Sequence, residues 1–132
     1  MTKFSEKKYK ILIAEDNMLN QKLLTVMLER HNLDFVTAKA GGEVIQKFVS
    51  EKPDLILMDI GMPEINGFDA AIEIRKLEKD NNEKIPIIAV TGHSSAEEIQ
   101  MIIKSGMDDY VVKPFDFNNL LQKILNLLKS KN

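Results

Sequence analysis

ILIAEDN, residues 11–17, is an apolar run that ends in two adjacent carboxylates, Glu15 and Asp16. A strand with one wet face alternates apolar and polar residues. Ile11 to Ala14 does not alternate, as expected of a strand covered on both sides in a parallel sheet between helices. The two charges at its end are either ordinary loop polarity or part of a cation site, and the remaining chain has to decide.

Working outward, four more short runs read as strands: DFVTA (34–38), DLILM (54–58), IPIIAV (85–90) and DYVV (109–112), with the first strand spanning YKILIA (9–14). Between and after them lie segments of helical period at 20–30, 43–49, 68–77, 96–104 and 117–128. Leu23, Leu24, Met27 and Leu28 mark the apolar stripe of the first, Ile99, Ile102 and Ile103 that of the fourth, and Leu120, Leu121, Ile124, Leu127 and Leu128 that of the fifth. Ser94 with Glu97 predicts a capping box before the fourth helix, Asp116 a cap for the fifth, and Gly106 the stop of the fourth. Strand then helix, five times over, predicts a doubly wound α/β fold with five helices and a five-stranded parallel sheet, for which the flavodoxin-like order 2-1-3-4-5 is a common solution.

A length of 132 residues suits one domain, expected over residues 9–130 behind a flexible leader at 1–8. With 44% hydrophobic and 29% charged residues the chain can bury a core. A net charge of −2 gives no bulk electrostatic reason to bind nucleic acid or an anionic membrane. Cysteine is absent, which excludes disulfides and thiolate metal sites. The opening MTKFSEKKYK makes no secretory signal, and no apolar run is long enough to cross a bilayer, so a cytoplasmic location is expected.

In open α/β sheets the binding crevice lies past the carboxyl ends of the strands, where strand order reverses. Glu15 and Asp16 follow the first strand, Asp59 the third, Thr91 the fourth and Lys113 the fifth. Three carboxylates brought together repel one another, and a hard divalent cation relieves this. Oxygen-only ligands suit Mg²⁺, or Mn²⁺, with the backbone carbonyl of Gly61 a further candidate ligand. Such a cation and Lys113 would neutralise an incoming phosphoryl group. Asp59 could then attack phosphorus to form an aspartyl phosphate, with Thr91 donating to a phosphoryl oxygen.

The motifs AEDN (14–17), MDIGMPEINGFDA (58–70), AVTGH (89–93) and DDYVVKPF (108–115) resemble, in order and spacing, the receiver domains of two-component response regulators. The resemblance implies that Asp59 is the phosphoacceptor, that Glu15, Asp16 and the Gly61 carbonyl hold Mg²⁺ with it, and that Lys113 contacts the phosphate. It also implies that Thr91 and Tyr110 are the switch hydroxyl and aromatic, and that Lys113-Pro114 is a cis peptide. EDNMLNQKL (15–23) is similar to receivers attached to, or fed by, hybrid histidine kinases. Gly92, where such domains often carry alanine, and the small Gly61 depart from the usual pattern and predict an open site mouth with an altered phosphate lifetime.

Each residue also has an ordinary role. Glu15 and Asp16 would serve as first-turn acids of the first helix, with Asp16 or Asn17 capping it. Thr91 would end a strand, Lys113 would be a surface lysine, and Tyr110 a packed aromatic. His93 reads as a solvated loop residue with a modest effect on dephosphorylation, and His31 as a C-terminal dipole partner. Met58 and Met62 flank Asp59 and are expected to pack, while Lys7, Lys8 and Lys10 read as a solvated leader.

The expected function is a phosphorylatable switch rather than a turnover enzyme. A histidine kinase or histidine phosphotransfer protein donates the phosphoryl group. The face formed by the fourth helix, fifth strand and fifth helix then changes for a protein partner, or the phosphate is passed on, without direct nucleic-acid or membrane contact. Autodephosphorylation is expected. The sequence ends just after the fifth helix, which leads to the expectation of output by protein contact or by passing the phosphoryl group on. A stand-alone regulator and an excised receiver both fit, and the starting Met and short polar leader favour the former. The competing class is a small Mg²⁺-dependent phosphohydrolase with an aspartate nucleophile. Such enzymes need an acid two residues after the nucleophile, and that residue here is Gly61.

Overall fold

A computed structural model describes residues 8–79 and 84–130. Its elements alternate: β1 (Lys10–Ala14), α1 (Met18–Arg30), β2 (Asp34–Ala38), α2 (Gly41–Glu51), β3 (Leu55–Asp59), α3 (Gly67–Glu78), β4 (Ile87–Thr91), α4 (Ala96–Lys104), β5 (Asp109–Val112) and α5 (Phe117–Ser130). All strand pairs are parallel and the order is β2-β1-β3-β4-β5, as expected.

Strand residues alternate between two cores. Leu12, Ala14, Ile56, Met58, Ile87 and Ala89 face α2, α3 and α4 through Val44, Ala71, Ile74 and Ile102. Ile11, Ile13, Leu55, Leu57, Ile88, Val90 and Val111 face α1 and α5 through Leu24, Leu28, Leu120 and Ile124. This double coverage is why β1, β3 and β4 have no polar face. Burying each large aliphatic side chain contributes roughly 1.5–3 kcal/mol.

Several boundaries differ from the sequence expectation for a local reason. β3 and β4 each run one residue further, so Asp59 and Thr91 are the last residues of their strands rather than the first loop residues. The fourth helix is capped by Ser95, whose hydroxyl accepts from the Glu98 N–H at 3.2 Å, and not by Ser94 with Glu97. Asn17 caps α1 by accepting from the Asn20 N–H, so Glu15 and Asp16 precede that helix and are not first-turn acids. Asp116 accepts from the Asn118 N–H at the start of α5. Gly106, with φ of 94°, turns the chain out of α4 in the left-handed region open to glycine. Of the expected leader, residues 1–7 lie outside the described residues. Lys8 pairs with Asp34 at 3.2 Å, and Lys10 belongs to the expected first strand and not to the solvated leader: it opens β1 and pairs with Glu51 at 3.1 Å.

Register levels the strand ends. Ala14 pairs with Met58, which sets Glu15 beside Asp59. Asp59 pairs with Val90, and Thr91 with Val112. Gly67 opens α3 directly over the end of β3, where a Cβ would stand 2.8 Å from both the Asp59 carbonyl oxygen and Ile60 Cα. Only a glycine lets α3 begin that close to Asp59.

Candidate functional site

β1 and β3 are neighbours, yet their connections lead to opposite faces of the sheet, so the crevice opens between their carboxyl ends. Glu15, Asp16 and Asp59 meet there, each offering a carboxylate oxygen within 4.8 Å of the others. Glu15 is 2% exposed and Asp59 7%, whereas Asp16 is exposed to solvent.

Backbone donors orient the two buried acids. Glu15 Oε2 accepts from the Asn17 N–H at 3.1 Å, and Asp59 Oδ1 accepts from the Gly61 N–H at 3.0 Å. The Gln21 side-chain amide donates to the Glu15 carbonyl at 3.0 Å, tying α1 to the end of β1. Lys113 comes from the far side of β4. Its Nζ stands 3.3 Å from Asp59 Oδ2 and 3.5 Å from Glu15 Oε1. The Lys113-Pro114 peptide is cis.

One ammonium therefore stands against Asp59 and Glu15, two of the three clustered carboxylates. Burial, and then the Asp59 carboxyl beside it, push the Glu15 carboxyl up to about 7, while the Asn17 N–H and Lys113 pull the other way. A carboxyl whose folded pKa exceeds its unfolded value of 4.5 favours folding below pH 4.5 and loses that contribution as pH rises through 7. In chelator-containing buffer, Glu15→Gln should be more stable than wild type at pH 8, by on the order of 3 kcal/mol. The difference should shrink toward pH 4.5. Urea titrations across that window check it; equal stabilities at pH 8 would refute the buried-proton account.

Thr91 is buried, and its hydroxyl points into the β4–α4 connection. Oγ1 lies 2.7 Å from Glu98 Oε2 and 3.0 Å from the His93 carbonyl, and it accepts from the His93 N–H at 3.1 Å. Sequence reasoning passed over Glu98. Its signal was Ser95–Glu98, a second S-x-x-E pattern one residue after Ser94–Glu97. Tyr110 is half-buried against the α2–α4 core, with Lys123 Nζ 5.4 Å from its ring centroid. Met58 and Met62 are buried on either side of Asp59 in the chain. Space is open where a Cβ at Gly92 would stand, and one at Gly61 would meet only Asp59 Oδ1, at 3.8 Å. Among the described residues, no helix is long and apolar enough to cross a membrane.

Acids, a hydroxyl and a lysine thus line the carboxyl edge of a 2-1-3-4-5 sheet, the doubly wound α/β class whose ligands bind past the strand ends. Residues 11–125 match the response regulator receiver domain, and the chain belongs to that family. It is 39% identical over 122 residues to the Hybrid signal transduction histidine kinase I of Dictyostelium discoideum, covering 89% of this chain but 7% of that protein. It spans between 7% and 17% of the length of five such hybrid or sensor kinases. Protein PilH of Pseudomonas aeruginosa is similar end to end, 39% identical over 116 residues that cover 87% of this chain and 93% of that one.

Among solved structures, the receiver domain of sensor histidine kinase PA1611 of Pseudomonas aeruginosa has a TM-score of 0.84 at 28% identity, covering 93% of this chain and 99% of its own. It was crystallised with a magnesium ion coordinated in its active site cleft. The receiver domain of Ssk1 of Saccharomyces cerevisiae, in complex with the histidine phosphotransfer protein Ypd1, has a TM-score of 0.86 at 32% identity, covering 91% of this chain and 88% of that one. Receiver domains are signalling switches of two-component systems and phosphorelays, generally not turnover enzymes.

Proposed function

We propose that residues 9–130 form a phosphorylatable switch in which Asp59 accepts a phosphoryl group from a phosphohistidine. The observation that carries this is the placement of Asp59, level with Glu15, oriented by the Gly61 N–H and 3.3 Å from the Lys113 ammonium.

Oδ2 of Asp59 attacks phosphorus in line with the departing nitrogen. The new O–P bond makes an aspartyl phosphate as the N–P bond breaks, and the electron pair returns to the donor imidazole. Lys113 already faces the attacking oxygen and offsets the charge of the entering group. The Thr91 hydroxyl donates to a phosphoryl oxygen once the group is in place.

The donor set fits a resident divalent cation: three clustered carboxylates, no nitrogen or sulfur ligand, and a single ammonium against two of them. Glu15, Asp16, Asp59 and the Gly61 carbonyl would hold Mg²⁺, or Mn²⁺, which when bound supplies charge neutralisation at the phosphoryl oxygens. The PA1611 receiver, crystallised with a magnesium ion coordinated in its active site cleft, supports magnesium as the cation.

The Ssk1 complex supports a histidine phosphotransfer protein, or a histidine kinase, as donor. Thr91 and Tyr110 then act as the switch pair, and the α4–β5–α5 face is the output surface. A groove of about 510 Å³ along β5 and α5, lined by Tyr110, Pro114, Phe115, Asn119 and Lys123, lies on that face. The open space at Gly61 and Gly92 favours water access and hence autodephosphorylation. The switch would work in the cytoplasm, where its donors present phosphohistidine.

Incubation with acetyl phosphate and Mg²⁺ should add one acid-stable, base-labile phosphate per chain, read by intact mass. Absence of any adduct would overturn the reading.

A further inference from the structure

α4 rests lightly on the sheet. Ile102 is its one buried residue, and Met101 and Ile103 are exposed. Its first turn is exposed at Ala96 and Glu97, and half-buried Glu98 carries a hydrogen bond from that turn to the sheet. The Thr91 hydroxyl has one proton and two acceptors in range, the His93 carbonyl at 3.0 Å and Glu98 Oε2 at 2.7 Å. The shorter contact to an ionised acceptor takes the proton, because charge-assisted O–H···O⁻ bonds are the stronger kind. The Ser95 cap holds the Glu98 backbone in register for this contact.

We infer that Glu98 is a positioning residue that holds the Thr91 hydroxyl on α4 while Asp59 is unphosphorylated, and that phosphorylation must win this proton from it. The inference rests on the reading of Asp59 and Thr91 as acceptor and switch hydroxyl. A phosphoryl group brings three strong acceptor oxygens to the same hydroxyl. When Thr91 turns to them, Glu98 loses its partner and the first turn of α4 loses its polar tie to β4. The carboxylate thus opposes phosphorylation and transmits it to α4 through the same hydrogen bond.

Beryllofluoride titration in Mg²⁺, followed by ¹⁹F NMR, tests this in wild type, Glu98→Ala, Glu98→Gln, Thr91→Val and the Thr91→Val/Glu98→Ala double variant. Glu98→Ala should tighten binding by roughly 3- to 10-fold, since the hydrogen bond it removes stabilises only the unliganded state. Glu98→Gln, which keeps a weaker neutral acceptor, should tighten it less. In the Thr91→Val background the effect of Glu98→Ala should vanish, which a general loosening of α4 would not produce. Unchanged or weaker binding in Glu98→Ala, or an equal effect without the Thr91 hydroxyl, would overturn the role of Glu98 alone. No binding by the wild-type protein would overturn the acceptor site and this inference together.

Discussion

Asp59→Asn is expected to abolish phosphate incorporation from acetyl phosphate while the fold persists. The side chain is buried at the end of β3. Asparagine keeps the same shape, and its amide oxygen still accepts from the Gly61 N–H that now reaches Asp59 Oδ1 at 3.0 Å. What it loses is the anionic oxygen that attacks phosphorus, and an amide forms no stable acyl phosphate. The substitution also removes one of three clustered carboxylates, so Glu15 should titrate closer to its ordinary range, because Asp59 is a cause of its raised pKa second only to burial. The thermal midpoint of the metal-free variant should equal or exceed that of wild type. Labelling at the wild-type level in Asp59→Asn would sink the acceptor assignment; lost labelling with an intact fold supports it.

Arg75→Ala should be the most damaging single truncation away from the site. From α3, Nε donates to the Gly106 carbonyl at 2.9 Å. Its Nη1 reaches Glu78 at 2.7 Å and the Ile85 carbonyl at 2.8 Å, and Nη2 reaches Asp108 at 3.0 Å. The two acids in turn accept from the Ile85 and Ile87 N–H groups. One guanidinium therefore joins α3, the entry to β4 and the turn from α4 into β5. Its side chain is 17% exposed and that of Glu78 10%, so truncation leaves a largely buried carboxylate and two carbonyls without this donor. Breaking such a pair from one side costs about 3–5 kcal/mol, a large share of a domain's net stability. The thermal midpoint should fall by on the order of 10 °C. Arg75→Lys should recover less than half of the loss, because a single ammonium cannot reproduce the planar fork. Denaturant titration reads both variants. A loss under about 1 kcal/mol for Arg75→Ala would place the cluster among solvent-screened surface pairs.

Much of the architecture could be read locally. The apolar runs at 11–14, 55–58 and 87–90 have no polar face, and that follows directly from coverage on both sides of the sheet. Helical stripes at three- and four-residue spacing located all five helices because each buries one side only. Cap registers were less legible. Ser94–Glu97 and Ser95–Glu98 satisfy the same local pattern, and the choice turns on Thr91, seven residues before Glu98, which takes Glu98 as its partner. Lys10 had two local readings, solvated leader and first strand, and its pairing with Glu51 at the end of α2, a contact between residues 41 apart, goes with the strand.

By itself the sequence determined the alternation of strands and helices and the chemical types at the strand ends, since periodicity and residue chemistry are local properties. Tertiary structure decided which of those groups meet. Register set Glu15 beside Asp59, the step across β4 brought Lys113 to both, and Gly67 let α3 close over the acceptor strand. It alone revealed Arg75 as a hub and Glu98 as the partner of Thr91. The reason is physical: hydrogen bonds and ion pairs depend on distances of a few ångströms between residues far apart in the chain, and only the packed sheet fixes those distances.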